Sequence, residues 1–324
     1  MKSTEQLLKL ISKEINQQKY GLEPQELYEP IRYIMALGGK RLRPLLATLS
    51  YSLFKDDVAS ILPQAIAVEV FHNFTLMHDD IMDEAPLRRN KPTVHEKWNN
   101  NTAILSGDVM LVKAYEMFMS EEHPATMKVL KAFNICAAEV CEGQQMDMDF
   151  ETRKTVHEKE YLEMIKLKTA VLLGFSLEMG GLLSDTTTAN CEALKNFGIN
   201  IGIGFQLKDD LLDVYADAEK FGKQVGGDII SNKKTFLLIR ALELAKGKQK
   251  QELESWVSKT DFDPKEKVKA VTEIYNQLQI KELTEELMNK YFIKGFESLK
   301  SIDAPLYRKA ILRKFAESLI NREK

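Results

Sequence analysis

Residues 63–83 read PQAIAVEVFHNFTLMHDDIMD, and this stretch decides the fold class. Pro63 suits the first turn of a helix, and apolar side chains then recur at helical spacing, which predicts a helix over 64–82. Asp79 and Asp83 are four residues apart, so the helix presents both on one face. Like charges at this spacing destabilise a helix by roughly 0.3 kcal/mol. Their place beside apolar residues therefore indicates a cation site.

A second stretch, residues 204–213, repeats the pattern as GFQLKDDLLD. Asp209 and Asp213 again share a helix face, and apolar residues surround them. Carboxylates that border an apolar interior need partners or a metal. Mg²⁺ takes one or two carboxylates and completes its shell with water and phosphate oxygens. One acidic pair is usually a solvated helix face, but two pairs of identical spacing favour a metal site.

The composition predicts a helical protein. Of the 324 residues, 44% are hydrophobic, and Gly and Pro number only 16 and 9, which argues against a turn-rich β-protein or a disordered chain. The net charge of −3 provides no basic field for nucleic acid. The sequence contains no run of 18 apolar residues, so no membrane span is predicted. Three cysteines without a disulfide pattern and an N-terminus without a signal sequence fit a cytoplasmic protein.

Helices are expected almost throughout, in one all-α domain over residues 1–324. Pro30 is expected to open the second helix, and Gly38 and Gly39 to end it. Residues 85–92 and 220–231 are expected to be loops, and no run alternates as a strand would. The other predicted helices are 7–15, 44–49, 104–119, 125–150, 158–182, 190–217, 232–246, 264–278 and 280–298.

Basic residues accompany both acidic stretches. Backbone N–H groups of the Gly38-Gly39 turn, with Lys40 and Arg43, can hold a phosphate. Further basic residues are Arg88 and Arg89 after the first acidic stretch, Lys168 before Thr169, and Lys223 and Lys233 beside the second loop. Each of these cations alone is usually a surface residue. Together they predict diphosphate binding, which needs both metal ions and Arg or Lys.

In this order the motifs resemble those of the polyprenyl synthetase family, the trans-isoprenyl diphosphate synthases. One DDxxD motif is weak evidence, whereas two of them with the basic motifs in the family's order are specific. The resemblance covers nearly the whole chain. The matching segments are KRLRP at 40–44, HNFTLMHDDIMD at 72–83 with the arginines at 88–89, GQQMD at 143–147, KT at 168–169, GFQLKDDLLD at 204–213, GGD at 226–228 and NKKT at 232–235.

The resemblance implies a single large helical bundle with a central active-site cavity, a homodimer, and about three Mg²⁺ ions per site. Its substrates would be isopentenyl diphosphate and an allylic diphosphate. By resemblance, Mg²⁺ would be bound by Asp79, Asp83 and Asp209, with Asp80, Asp210 and Asp213 in support. The allylic diphosphate would be held by Arg88, Lys168 and Lys223, and Lys233 would add positive charge near it. The isopentenyl diphosphate would be held by Lys40, Arg43, His72 and Arg89, although His72 could also be an ordinary helix residue. The reaction centre would be lined by Thr169, Phe205 and Gln206.

The implied reaction is head-to-tail condensation. Mg²⁺ and the cations would stabilise the leaving diphosphate while the allylic C–O bond ionises. The double bond of isopentenyl diphosphate would attack the carbocation, and a proton would then pass to the departed diphosphate. No covalent enzyme intermediate is required.

Product length is expected to depend on residues about one helical turn before Asp79. Phe74 beside the small Thr75 would form the floor of a product tunnel, with Phe71 as a further candidate, or Phe74 could be an ordinary core residue. The Phe-Thr pair resembles short-chain synthases that make geranylgeranyl diphosphate, with farnesyl diphosphate as the alternative. Long-chain synthases usually carry small residues at both positions.

Two other functions are less consistent with the motifs. A terpene cyclase would need Asn or Asp, Ser or Thr, and Glu in its second motif, whereas position 213 is Asp. A non-catalytic partner subunit would typically lose an aspartate motif, and both are intact. The sequence therefore favours an active prenyltransferase.

Overall fold

The computed structural model describes residues 2–216 and 226–320, and helices fill most of them. A 3₁₀ turn, Val58–Ile61, precedes α4, and a π-helical turn, Lys166–Ala170, joins α8 to α9. The helices are α1 Thr4–Gln17, α2 Gln25–Ala36, α3 Leu42–Tyr51, α4 Leu62–Met82, α5 Val94–Lys97, α6 Asn100–Phe118, α7 Thr126–Thr152, α8 Glu158–Ile165, α9 Val171–Leu183, α10 Thr188–Tyr215, α11 Gly227–Ile230, α12 Phe236–Leu244, α13 Gly247–Ser258, α14 Pro264–Gln277, α15 Ile280–Ser301 and α16 Leu306–Ile320. The all-α prediction is confirmed.

The chain divides into two compact units, and each is assembled from separate parts of the sequence. The first unit comprises residues 1–134, 175–194 and 303–312. The second comprises residues 135–174, 195–302 and 313–324, apart from the stretches that the structure does not describe. The single domain over residues 1–324 stays a prediction.

Helix α4 is central to the first unit, where it packs against α1, α2, α3, α5 and α6. Neighbours on several sides explain why its first three turns are apolar nearly all round rather than along one stripe. An aromatic cluster fills the core beside it. Phe133 lies 4.9 Å from Phe71 and 4.6 Å from Phe118 between ring centroids, and Phe175 lies 5.6 Å from Phe133. The acidic end of α4 is thereby fixed on a rigid helix.

Helix α2 begins earlier than expected. Its first residue is Gln25, and Pro30, which was expected to open it, lies inside the helix and is buried. Proline has no N–H, so it removes the backbone hydrogen bond to Glu26. Burial of the ring offsets part of that loss, and Pro24 occupies the N-cap position instead.

The segment 158–182 is not the single helix that its periodicity predicts. The N–H of Val171 donates to the carbonyl of Lys166, five residues back, so the segment contains a π-helical turn. Such turns occur frequently at functional sites. This one carries Lys168 and Thr169.

Helix boundaries also differ around the second predicted loop. Helix α12 begins at Phe236 rather than at residue 232, because Asn232 has a left-handed φ of 55° and Thr235 is extended. Helix α13 was not predicted, since Leu253 is its single buried residue and its apolar repeat is correspondingly weak. Helix α16 was also missed.

The predicted loop at 85–92 contains a short antiparallel hairpin, in which Leu87 pairs with Pro92 and Arg88 with Lys91. Two-residue strands are too short to show an alternating pattern in sequence. Among the helices of the described ranges, none is long and apolar enough to cross a bilayer.

Candidate active site

The middle aspartate of the first motif is buried and paired. Asp80 is 2% exposed, and its two carboxylate oxygens accept from Arg88 Nε at 2.9 and 2.8 Å. Arg88 Nη2 lies 2.7 Å from the same carboxylate. Burial raises the pKa of Asp80, and Arg88 opposes that effect. This bidentate pair fixes the guanidinium and leaves its Nη1 edge for another anion.

The outer aspartates of the first motif have a different setting. Asp79 is half-buried in the last turn of α4, and Asp83 is exposed at its C-cap, where its N–H donates to the carbonyl of Asp79. Their oxygens are the ligands that Mg²⁺ prefers, and Mg²⁺ uses one or two carboxylates together with phosphate oxygens. Within the described residues, no three His, Cys, Asp or Glu side chains form a preformed metal cluster. The carboxylate oxygens of Asp79 and Asp83 fit Mg²⁺ that is held jointly with a diphosphate.

The loop between α2 and α3 is held by a buried ion pair. Arg41 Nη1 lies 2.7 Å from Glu69 Oε1 on α4, and Arg41 Nη2 donates to the carbonyl of Met35 at 2.6 Å. Gly38 and Gly39 have φ of 82° and 128°, which confirms the predicted glycine turn. The turn leaves Lys40 exposed and Arg43 half-buried.

Arg89 connects this loop to the hairpin after α4. Its Nη1 donates to the carbonyl of Gly38, and its guanidinium lies so close to Gly39 that a Cβ there would meet Nη2 at 2.7 Å. The glycine at position 39 therefore makes room for the arginine. Four guanidinium groups influence His72 electrostatically, those of Arg43, Arg89, Arg88 and Arg41. Arg43, His72, Arg88 and Arg89 therefore lie in the same region of the first unit, and their roles as diphosphate ligands stay predictions.

Burial, and then these guanidinium groups, hold the pKa of His72 well below its ordinary 6.5. A histidine whose folded-state pKa is depressed binds more protons when the chain unfolds, so stability falls as the pH drops below about 6.5. We expect His72→Gln to weaken this acid destabilisation by up to about 1.4 kcal/mol per pH unit. Urea unfolding at pH 8 and pH 5 measures the effect. Equal acid losses in both proteins would contradict it.

The residues proposed to set product length lie along α4. Phe71 is 1% exposed and packs on Phe133, so it belongs to the aromatic core. Phe74 is half-buried, with its ring centroid 5.6 Å from that of Phe71 and 4.8 Å from that of His78. Thr75 is half-buried, and its hydroxyl donates to the carbonyl of His72 at 2.8 Å. Phe74 is therefore better placed than Phe71 to limit a product.

In the second unit, the middle aspartate is again buried. Asp210 is 5% exposed and accepts from Tyr161 Oη and, at 3.1 Å, from Gln206 Nε2. Thr169 Oγ1 donates to Gln206 Oε1 at 3.5 Å, so the hydrogen bonds run from the π-helical turn to α10. Burial and the nearby Asp228 raise the pKa of Asp210 to about 7. This network fixes Gln206, which the sequence predicted at the reaction centre.

The outer aspartates of the second motif differ from each other. Asp209 is half-buried on α10. Asp213 Oδ2 accepts from the N–H of Asp228 at 2.9 Å, and its carbonyl accepts from the N–H of Gly226 at 2.6 Å. Asp213 therefore holds the turn at residues 226–228, and its supporting role at the metal site stays a prediction. Burial raises the pKa of Asp228 to about 6, with Lys233 opposing it.

Lys168 in the π-helical turn is held by a carboxylate. Its Nζ lies 2.5 Å from Asp147 Oδ2 on α7. Close approach of the two segments depends on Gly143, because a Cβ there would lie 2.1 Å from the backbone nitrogen of Lys168. The GQQMD segment therefore contributes two features: Gly143 leaves space for the backbone of Lys168, and Asp147 forms an ion pair with the Lys168 side chain.

Three other predicted residues have simpler placements. Phe205 is half-buried on α10, and Lys233 is exposed directly before α12. Lys223 lies outside the described residues.

Sequence reasoning did not find Tyr161, Glu69 or the positioning role of Arg41. Glu69 lies in an apolar helix segment and Tyr161 in a short charged helix, neither has a motif of its own, and each is recognisable only from the partner that it contacts. For Arg41 a signal existed, since it stands between Lys40 and Leu42 in the first basic motif.

The sequence profile of the polyprenyl synthetases matches residues 24–276. The chain belongs to the polyprenyl synthetase family. A geranylgeranyl diphosphate synthase of Methanosarcina mazei is 41% identical over 304 residues, 93% of this chain and 91% of the relative. A short chain isoprenyl diphosphate synthase of Methanocaldococcus jannaschii is 43% identical over 251 residues, 77% and 76% of the two chains. A crystal structure of a geranylgeranyl pyrophosphate synthase matches with a TM-score of 0.95 and 41% identity, over 100% of both chains.

For this polyprenyl synthetase, the family and the isoprenyl synthase fold predicted from the sequence are confirmed. The prediction of a prenyl-transferring enzyme is confirmed at the level of the family, whose members extend prenyl chains, bind isoprenyl diphosphates and use Mg²⁺. The roles of the individual side chains stay predictions.

Proposed function

We propose that this polyprenyl synthetase is a geranylgeranyl diphosphate synthase that condenses isopentenyl diphosphate with an allylic diphosphate. One observation carries the proposal. In both aspartate motifs the middle carboxylate is buried against a partner that holds it, whereas the first carboxylate is only half-buried. Such an arrangement suits outer carboxylates that share a metal with a diphosphate. The similarity to geranylgeranyl diphosphate synthases supports the product.

In the first unit, Asp79 and Asp83 would hold Mg²⁺, and Arg88 would bind the allylic diphosphate through the edge that Asp80 leaves open. Lys40, Arg43, His72 and Arg89 would bind the diphosphate of isopentenyl diphosphate. The depressed pKa of His72 indicates a neutral ring before an anion arrives. The buried Arg41–Glu69 pair would keep this loop in place.

In the second unit, Asp209 would be the metal ligand, and Lys168 and Lys233 would face the allylic diphosphate, as would Lys223. Thr169 and Gln206 would direct their oxygen atoms towards the carbocation, held there by Asp210 and Tyr161. Phe205 would lie beside the reacting carbons. The roles of Lys168, Thr169 and Gln206 follow the family motif and the contacts of their side chains, whereas the other roles follow the motif alone.

About three Mg²⁺ ions, when bound, would neutralise the diphosphate and make it a better leaving group. Arg88 and Lys168 would stabilise the charge that develops on the leaving oxygen. Isopentenyl diphosphate, held by its own set of cations, would present its double bond to the carbocation. The departed diphosphate would then accept the proton.

The condensation can be tested with purified protein, isopentenyl diphosphate, Mg²⁺ and, in turn, dimethylallyl, geranyl or farnesyl diphosphate. We expect release of inorganic diphosphate with at least one allylic partner, and its loss when EDTA removes the metal. No release with any of them would favour a non-catalytic partner subunit. Release from an allylic diphosphate alone, without isopentenyl diphosphate, would favour a cyclase.

Phe74→Ala should lengthen the product, because it removes the half-buried ring next to Thr75. The next aromatic ring, that of Phe71, lies three residues earlier on the helix and so further from Asp79. Mass spectrometry of the dephosphorylated products measures this change. Thr75→Ser is the matched control, since it retains the hydroxyl bonded to His72, and its products should stay as in the wild type. An unaltered product length in Phe74→Ala would mean that Phe74 is an ordinary core residue.

We propose further that the enzyme is a cytoplasmic homodimer. Helix α6 and its C-cap expose Leu105, Val112 and Met119, which are 58%, 56% and 53% accessible. Residues spaced by seven lie on nearly the same helix face, and exposed apolar stripes mark interaction surfaces. Sedimentation equilibrium should give twice the 37.0 kDa chain mass. A single-chain mass would contradict the dimer.

A further inference from the structure

A buried lysine outside every motif holds the turn that carries Lys233. Lys267 on α14 is 0% exposed. Its Nζ donates to Asn232 Oδ1 at 2.7 Å and to the carbonyl of Ile230 at 3.2 Å. The acceptors lie one and three residues before Lys233. The ammonium group therefore bonds the turn through a side chain and a backbone carbonyl.

Among the residues that the structure describes, the other surroundings of Lys267 offer no anion. Its Nζ lies 4.2 Å from the ring centroid of Phe262, and within the described residues it forms no ion pair. Burial lowers its pKa. Burying an ammonium group without a carboxylate is costly, and an apolar side chain of similar length would avoid that cost. Overall stability therefore does not explain the lysine, whereas its two hydrogen bonds to the turn do.

The turn is also held by other contacts. Asn232 has a φ of 55°, a left-handed conformation that asparagine adopts more readily than most residues with a side chain. Its Nδ2 donates to the carbonyl of Val257 at 3.1 Å. Gly226, with a φ of 87°, packs so tightly on Val268 that a Cβ would lie 2.6 Å from that side chain. Helix α14 thus holds both ends of the segment 226–232.

The same segment is bound to the second aspartate motif through Asp213. Lys233 follows this segment in the chain, and its backbone N–H donates to the carbonyl of Asp228 at 2.9 Å. The turn therefore connects the backbone of Lys233 to Asp228 and Asp213. A shift of the turn would move Lys233 relative to the aspartates.

We propose that Lys267 is a positioning residue, which fixes Lys233 for the allylic diphosphate by hydrogen bonding to Asn232 and Ile230. The proposal rests on the proposed function of Lys233. Lys267 itself would not contact the substrate. We therefore expect the loss of Lys267 to change binding of the allylic diphosphate only through Lys233.

Lys267→Met tests this, because it removes the ammonium group and keeps a side chain of similar length. We expect the KM for the allylic diphosphate to rise about 10-fold, which corresponds to one hydrogen bond of a charged group, with the KM for isopentenyl diphosphate nearly constant. Lys267→Arg should recover part of the affinity. Lys269→Met, an exposed lysine on the same helix, is the matched control and should behave as the wild type.

A double-mutant cycle with Lys233→Ala separates positioning from a general structural role. If Lys267 acts through Lys233, the double variant should have the same KM for the allylic diphosphate as Lys233→Ala alone. Additive effects, or equal changes in both KM values of Lys267→Met, would overturn the proposal. If Lys267→Met does not fold, Asn232→Gly replaces it, because glycine accepts the φ of 55° while the acceptor is lost. A wild-type KM in Asn232→Gly would then overturn the proposal.

Calorimetric titration of a non-ionising thiolo analogue of the allylic diphosphate, with Mg²⁺, gives a readout independent of turnover. Weaker binding to Lys267→Met than to Lys269→Met supports the proposal even if the wild type forms no product. Equal binding overturns it. Absence of turnover in the wild type would, by contrast, contradict the proposed function.

Discussion

Asp79→Asn and Asp209→Asn should each lower kcat by about 10³-fold, because each removes a charged ligand from a site whose metal stabilises the leaving diphosphate. Asp79 is half-buried at the end of α4, and Asp209 is half-buried on α10. The Asp79 side chain is 20% exposed and only 3.7 Å from Arg88, and that of Asp209 is half-buried, so both variants should unfold at a urea concentration near that of the wild type. Steady-state kinetics with saturating Mg²⁺ measure the loss of activity.

The control for these variants is Asp108→Asn, which changes an exposed aspartate on α6. Its kcat should equal that of the wild type. Excess Mg²⁺ should restore part of the activity of Asp79→Asn if the substitution weakens metal affinity. A wild-type rate in either Asp79→Asn or Asp209→Asn would show that the first aspartate of that motif is not a metal ligand.

Asp80→Asn should instead destabilise the fold, by about 3 kcal/mol in the free energy of unfolding. The carboxylate is buried and accepts two Arg88 hydrogen bonds, so the substitution leaves the guanidinium group with only the more distant Asp79 carboxylate, 3.7 Å from Nη2. Arg88 would also lose its orientation, and the KM for the allylic diphosphate should rise. Urea unfolding and steady-state kinetics measure the two effects separately.

The double variant Asp80→Asn with Arg88→Met distinguishes this pair from a simple loss of packing. Once the cation is also removed, no uncompensated charge remains, so the double variant should be more stable than Asp80→Asn alone. Its activity should stay low, because the proposed diphosphate ligand is gone. Strictly additive losses of stability would contradict the pairing.

The parts of the site that could be predicted from sequence are those with a repeating or unusual local pattern. Asp79 and Asp83 are recognisable because they lie four residues apart within an apolar helix. Gly38 and Gly39 are recognisable because two adjacent glycines precede two cations. Both features depend only on neighbours in the chain. For the same reason the long helices were found, since 3.6-residue periodicity is also local.

The remainder depends on contacts between distant residues. Tyr161 is 49 residues from Asp210, and Lys267 is 35 residues from Asn232. Only packing of their helices makes one the partner of the other, so no local pattern marks them. The π-helical turn at Lys166–Ala170 is likewise associated with close packing, since α7 approaches it at Gly143. Periodicity predicts a continuous helix there because the residues themselves are good helix formers.

The structure also separates residues that the motifs treat alike. Three aspartates occur in each motif, yet Asp80 and Asp210 are buried and paired, and Asp213 holds a turn. Their different surroundings predict different consequences of the same Asp→Asn substitution. This difference is the basis of the contrast between Asp79→Asn and Asp80→Asn.

The central claim, synthesis of geranylgeranyl diphosphate, is tested most directly by the product profile of the wild-type chain. Purified protein would be incubated with labelled isopentenyl diphosphate, dimethylallyl diphosphate and Mg²⁺. The dephosphorylated products would be separated by chromatography and identified by mass spectrometry. Our account predicts geranylgeraniol as the main alcohol. Farnesol as the main product would support the farnesyl alternative, and the absence of any elongated prenyl alcohol would contradict the account.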